Sequence, residues 1–143
     1  MDDPNLGRLL LDGFRWFDRG LLDSLNTKLG LELTSAQSLL FADLPLAGAR
    51  QSDLARTLGV SRQAINELVR GLERQQLVEV VADPTDGRSK LVRPTARGRE
   101  SIRMALQTFT ELENELRSRV GDGSVDQLRR ALSAGWGDPP GAP

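Results

Sequence analysis

Hydrophobic residues return every three or four positions near the start of the chain, at Leu6, Leu10, Phe14, Phe17, Leu21 and Leu25. With 3.6 residues to a turn, that spacing draws one apolar stripe along an α-helix. Asp3 followed by Pro4 predicts the helix start, a capping carboxylate with proline at the first helical position. The helix is expected to reach about Lys28, with Gly30 as its stop. Leu9, Leu11, Trp16 and Leu22 fall off the stripe, so this helix carries more apolar surface than one packed side consumes. A partner subunit is expected to take the remainder. Thr34 then predicts a second, short helix, with Ala36, Leu39, Leu40, Ala42 and Leu44 on its buried side and Pro45 as its end.

The pattern tightens from Arg50 to Gly98. Ser52 is a candidate cap for a helix through Asp53 to Leu58, with Leu54, Ala55 and Leu58 facing inward. Gly59 permits the left-handed residue that ends it, Val60 is expected to plug the turn, and Ser61 caps the next helix. Small Ala55, Gly59 four residues later, and Ile65 and Leu68 beyond supply close approach, positive φ and two core anchors, in the order a helix-turn-helix needs them. The second helix divides cleanly around its axis. Ala64, Ile65, Leu68, Val69 and Leu72 share one arc, whereas Arg62, Gln63, Asn66, Glu67, Arg70, Glu73 and Arg74 share the other.

That polar arc has the chemistry to read duplex DNA. Gln63 and Asn66 can bond adenine through N6 and N7, and arginine suits guanine or a phosphate. Ser61, Arg62, Gln63 and Asn66, nearest the helix start, are expected to enter the major groove deepest. Arg70 and Arg74 are either phosphate contacts or partners of Glu67 and Glu73. Glu67 fits less well, because a carboxylate near phosphate is repelled unless it accepts from cytosine N4 or pairs with Arg70.

After Gln76 the runs LVEVV and KLVRP flank DPTDGRS, two short β-branched strands around strong turn signals. The resulting hairpin places Arg88 just past its tip, suited to a narrow minor groove, with Asp86 placed to hold that guanidinium. Ser52 and Lys90 complete the expected contacts to DNA. Thr95, after Pro94, predicts a long helix, and Gly98 in its first turn lets the backbone pass close to the wing. Ile102, Leu106, Phe109, Leu112, Leu116 and Val120 form its stripe, GDGS ends it, and Ser124 is expected to cap a last helix bearing Val125, Leu128, Leu132 and Trp136.

Charge reinforces this division. The formal net charge is −1, yet residues 50–99 hold ten Lys/Arg against six Asp/Glu, a net of +4, and the remainder carries −5. A basic block between acidic arms suits a protein that meets phosphate with one face. The chain has neither cysteine nor histidine, which removes disulfides, thiol redox switching, the usual zinc ligands and the commonest general base. No catalysis, metal or cofactor is expected. The acidic start MDDPNLGRLL and the lack of a long apolar run predict a cytoplasmic protein without a membrane span.

The order of elements, and above all the wing segment DPTDGRSKLVRPTARG, resembles the MarR family of regulators over nearly the whole chain, to about Trp136. Asp83, Pro84, Asp86, Arg88, Val92, Thr95 and Gly98 fill the places of that family's wing pattern, while Gly87 stands where a second basic residue is frequent. The resemblance implies a homodimer built from the first helix and the last two, bound to a pseudo-palindrome, often released by a small anionic or phenolic compound. A pocket for such an effector would lie between dimer helices and reading domain, with Arg15, Trp16, Arg19 and Phe41 as candidates. The expected fold is thus mostly α, a winged helix-turn-helix over 34–98 within a single domain, 1–136. Dimerisation helices at 1–30 and 99–136 flank it, and a disordered tail, 137–143, follows. The expected function is transcriptional regulation through duplex DNA, as a repressor. The rival from another class is a winged-helix module that docks an acidic protein surface instead of DNA.

Overall fold

Leu21 and Leu25, at the far end of the first apolar stripe, are buried, whereas Leu6 and Phe14 at its near end are exposed. This helix therefore packs within its own chain along its second half. A computed structural model describes residues 3–141. They form helices α1 (Leu6–Leu29), α2 (Ser35–Asp43), α3 (Gln51–Leu58) and α4 (Arg62–Arg74), strands β1 (Val78–Asp83) and β2 (Asp86–Pro94), then α5 (Ala96–Val120) and α6 (Asp122–Ser133). The predicted mostly α, winged-helix architecture is the one found. The chain falls into two compact units, one through Thr108 and one from Phe109 on.

In the first unit the core is a cluster of leucines and β-branched residues drawn from α1, α2, α3, α4 and both strands. Leu40, Ile65, Val69, Leu72, Leu77 and Val92 are almost wholly enclosed, each side chain contributing about 1.5–3 kcal/mol from removal of its surface from water. Met104 and Ala105, on the first half of α5, pack against this cluster. Ser24 and Thr108 exchange a hydroxyl hydrogen bond at 3.1 Å between α1 and α5. The α2 side of the core differs from expectation. Leu40 and Leu44 are buried, but Ala36, Leu39 and Ala42 are exposed and Gln37 is enclosed instead. Gln37 closes a reciprocal capping box with Thr34 and lies where α2 meets α4 at Gly71, so a polar side chain fills the crossing.

Helix starts follow local chemistry, with three corrections. Asn5, not Asp3, caps α1, its side-chain oxygen accepting the Arg8 N–H at 2.9 Å, and Pro4 precedes the helix. Arg50, not Ser52, occupies the cap position of α3, leaving Ser52 exposed inside the helix. Gly121, not Ser124, precedes α6. The strands pair antiparallel from Val78↔Pro94 to Ala82↔Lys90, then shift so that Asp83 faces Asp86. Pro84 and Thr85 make the connection, so the turn forms on Asp-Pro and the Asp-Gly expected in the loop is the start of β2.

In the second unit Arg117 binds Asp126 at 2.9 Å and Glu113 at 3.2 Å, and Glu113 also accepts from Arg129. This network ties the end of α5 to α6, whose buried residue is Val125. The two arginines, Arg129 first, hold the Glu113 carboxyl below its ordinary pKa. Leu128, Leu132 and Trp136 are exposed rather than packed. The stripe expected on α5 is likewise turned outward at Leu106, Phe109 and Val120, while Gly98, Ser101 and Thr108 are its buried positions. Periodicity located the apolar face, but the fully buried positions of α5 are small or polar, with Met104 and Ala105 partly buried beside them. Past Ser133 the described residues form no helix or strand, and the last two residues of the expected tail lie outside them.

Candidate nucleic-acid interface

Helix α3 ends as its sequence requires. Gly59 sits at φ 67°, the left-handed region where a side chain would be strained, and the Val60 N–H closes onto the Ala55 carbonyl at 3.0 Å. Val60 itself is 37% exposed and does not plug the turn. One residue later the Ser61 hydroxyl accepts the Ala64 N–H at 3.0 Å and starts α4. Ile65, Val69 and Leu72 point into the core, which fixes the rotation of the helix about its axis. Arg62, Gln63, Glu67, Arg70, Glu73 and Arg74 are consequently exposed, and Asn66 is half-buried at the edge of that face.

The wing is fastened to α3 by backbone and side chain. Ala49 and Val92 exchange two backbone hydrogen bonds, at 2.9 and 2.8 Å, adding one bridge to the edge of β2. Nearer the tip, the Arg50 guanidinium donates to one Asp83 carboxylate oxygen through Nε at 3.2 Å and Nη2 at 2.9 Å. The other oxygen accepts the Thr85 N–H at 2.9 Å and its hydroxyl at 2.7 Å. Asp83 is only 6% exposed, and the Thr85 donors, followed by Arg50, lower its pKa to about 2. Asp86 departs from its expected role. It accepts the backbone N–H of Arg88 at 3.1 Å and the Ser89 hydroxyl at 3.0 Å, shaping the turn rather than gripping the Arg88 guanidinium.

The cations of this region divide into two groups. Arg50, Arg56 and Arg93 are held by Asp83, Asp53 and Glu79. Among the described residues, Arg62, Arg70, Arg74, Arg88 and Lys90 have no carboxylate within 4.0 Å, and all five are exposed. Glu67 and Glu73 therefore do not pair with Arg70 or Arg74. The predicted contacts Ser61, Arg62, Gln63, Asn66, Arg70, Arg74, Asp86, Arg88 and Lys90 thus lie on α4 and the wing of one unit, with Ser52 on α3. Sequence reasoning missed Arg50, whose partner lies 33 residues away and leaves no local signal.

The effector candidates are placed as follows. On α1, Arg15 lies 3.8 Å from Asp12, Trp16 packs edge-on to Phe17 with ring centroids 5.0 Å apart, and Arg19 is exposed. Phe41, on α2, is half-buried against the core.

Fold and site together define a winged helix-turn-helix protein with additional helices at both ends. A sequence model of the MarR family matches residues 33–89, the segment from the start of α2 to the wing. Among solved structures, the reduced form of MarR from E. coli is 25% identical, with a TM-score of 0.77 over 94% of this chain and 98% of that one. A cysteine-to-serine mutant of E. coli MarR complexed with operator DNA is 26% identical, with a TM-score of 0.68 over 90% and 91% of the two chains. The MepR–DNA complex of S. aureus is 21% identical, with a TM-score of 0.66 over 92% and 96%. A search of curated protein sequences finds no match. Over residues 33–89 the chain matches the MarR family, and over more than nine-tenths of its length it shares the winged-helix fold of MarR.

Proposed function

We propose that this protein is a transcription regulator that binds duplex DNA in a sequence-specific way and represses as a homodimer. One observation carries the reading: five exposed cations on α4 and the wing, Arg62, Arg70, Arg74, Arg88 and Lys90, are left without carboxylate partners among the described residues, whereas neighbouring arginines are paired. A solvated face with no ligand gains nothing from leaving its cations apart from the acidic residues interspersed with them, whereas a phosphate backbone supplies the missing charge. Ser61, Gln63 and Asn66 stand at the start of the same helix, where base edges are reached first. The solved complexes of MarR with operator DNA and of MepR with DNA support duplex DNA as the partner, and a further solved relative is the Multiple Antibiotic Resistance Repressor.

Exposed apolar residues support pairing of two copies: Leu6, Leu9 and Phe14 on α1, and Leu128, Leu132 and Trp136 at the other end of the chain. A symmetric pair would meet half-sites about one helical turn apart, ~34 Å centre to centre. In this reading the protein is cytoplasmic, performs no catalysis, and answers to a small anionic or aromatic effector, for which Arg15, Trp16, Arg19 and Phe41 are the residues to vary. No helix among the described residues is long and apolar enough to cross a membrane. Selection of bound duplexes from a random pool, followed by gel shift at rising salt, tests the proposal. Enrichment of a pseudo-palindrome is expected, and failure to retain any duplex at moderate salt would favour the docking module.

A further inference from the structure

Helix α4 is locked by its core residues, but the wing is a different mechanical object. From Val92 to Asp86 the ribbon extends about 20 Å at ~3.3 Å per residue, and an isolated two-stranded ribbon is marginally stable in water. Its regular pairing runs to Ala82↔Lys90 and resumes at Asp83↔Asp86 only after a register shift, so residues 87–89 of β2, including Arg88, have no paired residue on β1. The Ala49–Val92 bridge fastens this ribbon at its base. Something else must fix the tip.

We propose that Arg50 is a positioning residue whose grip on Asp83 sets where the wing tip stands relative to the helix-turn-helix, and so delivers Arg88 to DNA. The inference rests on the DNA-binding reading above. Arg50 is held at both ends. Its carbonyl accepts the N–H groups of Asp53 and Leu54, each at 3.1 Å, in the first turn of α3. Its guanidinium reaches Asp83 through two nitrogens and comes within 3.7 Å of Asp86. Asp83 is in turn fixed by Thr85, and Asp86 accepts the backbone N–H of Arg88. A run of hydrogen bonds and one longer ion pair therefore leads from the start of α3 to the main chain of Arg88. With two carboxylates on it, Arg50 is the cation of this face least suited to receive a phosphate itself, which separates positioning from contact.

Arg50→Gln, Arg50→Lys and Asp83→Asn each cut this grip, and two measurements on the full chain read the consequence. The first needs no DNA. Hydrogen exchange of amides in residues 85–90 should quicken by about tenfold or more in each variant, while the α4 amides keep their protection. Unchanged exchange in the wing would overturn the proposal. The second is a pair of double-mutant cycles on a selected duplex. Arg88→Ala should weaken binding about tenfold in the unaltered protein but less than about twofold beside Arg50→Gln, whereas Gln63→Ala should cost the same in both backgrounds.

Arg50→Lys should behave as Arg50→Gln, since a lysine keeps the charge and loses the two-nitrogen grip. Additive losses in the Arg88 cycle, or binding by Arg50→Lys equal to that of the unaltered protein, would show Arg50 acting by charge and overturn its positioning role. If the unaltered protein binds no duplex, the DNA reading fails and takes this inference with it. Binding with additive losses overturns the inference alone.

Discussion

Gly98 and Leu77 meet backbone to backbone: a Cβ on Gly98 would lie 2.0 Å from the Leu77 carbonyl oxygen. That carbonyl accepts the Thr95 N–H at 3.0 Å, and the Thr95 hydroxyl donates to the Gln76 carbonyl at 2.6 Å while accepting the Gly98 N–H at 3.0 Å. The first turn of α5 is thus bonded directly to the link between α4 and β1. Gly98→Ala should lower unfolding free energy by about 3 kcal/mol, since neither backbone can move aside cheaply. Gly13→Ala, on an exposed helix face with nothing within 4 Å of the added carbon, should instead gain about 0.5–1 kcal/mol. Denaturant midpoints compare the two, and effects of equal sign would contradict the contact.

Gln76 is the one described residue other than glycine with positive φ, at 61°. It lets the Gln76 and Leu77 N–H groups close onto the carbonyls of Glu73 and Leu72, at 2.9 and 3.0 Å. Because a side chain in this conformation costs about 1 kcal/mol, Gln76→Gly should stabilise the protein by that amount and raise the melting temperature by about 4 °C. A lower melting temperature would mean that the Gln76 side chain contributes more than its backbone conformation costs.

Asp83 sets an acid limit. Its pKa falls from 3.8 to about 2 on folding, through the Thr85 donors first and then Arg50. The folded carboxyl holds its proton less tightly than the unfolded one, so its contribution is complete above about pH 5 and is lost as pH drops through the folded value. Asn at this position mimics the protonated form. The stability difference between Asp83→Asn and the unaltered protein should hold steady from pH 7 to 5 and close below about pH 4. Glu113 also titrates low, but it is common to both proteins and cancels in the comparison. A difference that stays constant down to pH 2 would count against the Asp83 assignment.

The reading of the sequence succeeded where chemistry is local. Ser61, Thr34 and Gly59 each act within four residues, and each does what its type predicts. Arg50 stands in the place expected for Ser52, and its guanidinium is committed to a residue 33 positions on, a pairing invisible to a window of one turn. Asn5 and Gly121 stand two or three residues from the plausible alternatives Asp3 and Ser124, Asn5 through a bond to the Arg8 N–H and Gly121 with no side-chain cap at all. The stripes on α1 and α5 were legible as stripes, yet spacing cannot say what covers them. The polar arc of α4 was legible apart from the half-burial of Asn66 at its edge, since burial of Ile65, Val69 and Leu72 fixes the opposite face.

Contacts to phosphate and contacts to bases should separate under mutation. Binding should weaken by about 10³–10⁵ between 50 and 200 mM salt if a dimer makes about 6–10 phosphate contacts. Arg88→Ala should weaken binding on all sequences and flatten that salt slope, whereas Gln63→Ala or Asn66→Ala should relax preference at particular bases, by about 1–3 kcal/mol each. Competition gel shifts with duplexes altered one base pair at a time distinguish the two, and unchanged binding in all three variants would remove these residues from the interface.

Assembly can be measured without DNA. Sedimentation equilibrium should give twice the chain mass of 15.7 kDa, and Leu128→Glu with Leu132→Glu should shift the population to monomer, since a carboxylate in an apolar contact is strongly disfavoured. A monomeric unaltered protein at micromolar concentration would contradict the use proposed for the outer helices.

The chain has two tryptophans and no tyrosine. Trp16 lies half-buried beside Phe17 in the first unit, and Trp136 is 64% exposed in the second, its indole N–H donating to the Ala131 carbonyl at 2.8 Å. Each unit therefore carries its own intrinsic fluorophore, unmixed with any other strong emitter. Replacing either indole by phenylalanine leaves a single optical reporter, so events near α1 and events at the C-terminal helix can be followed separately in the unlabelled protein.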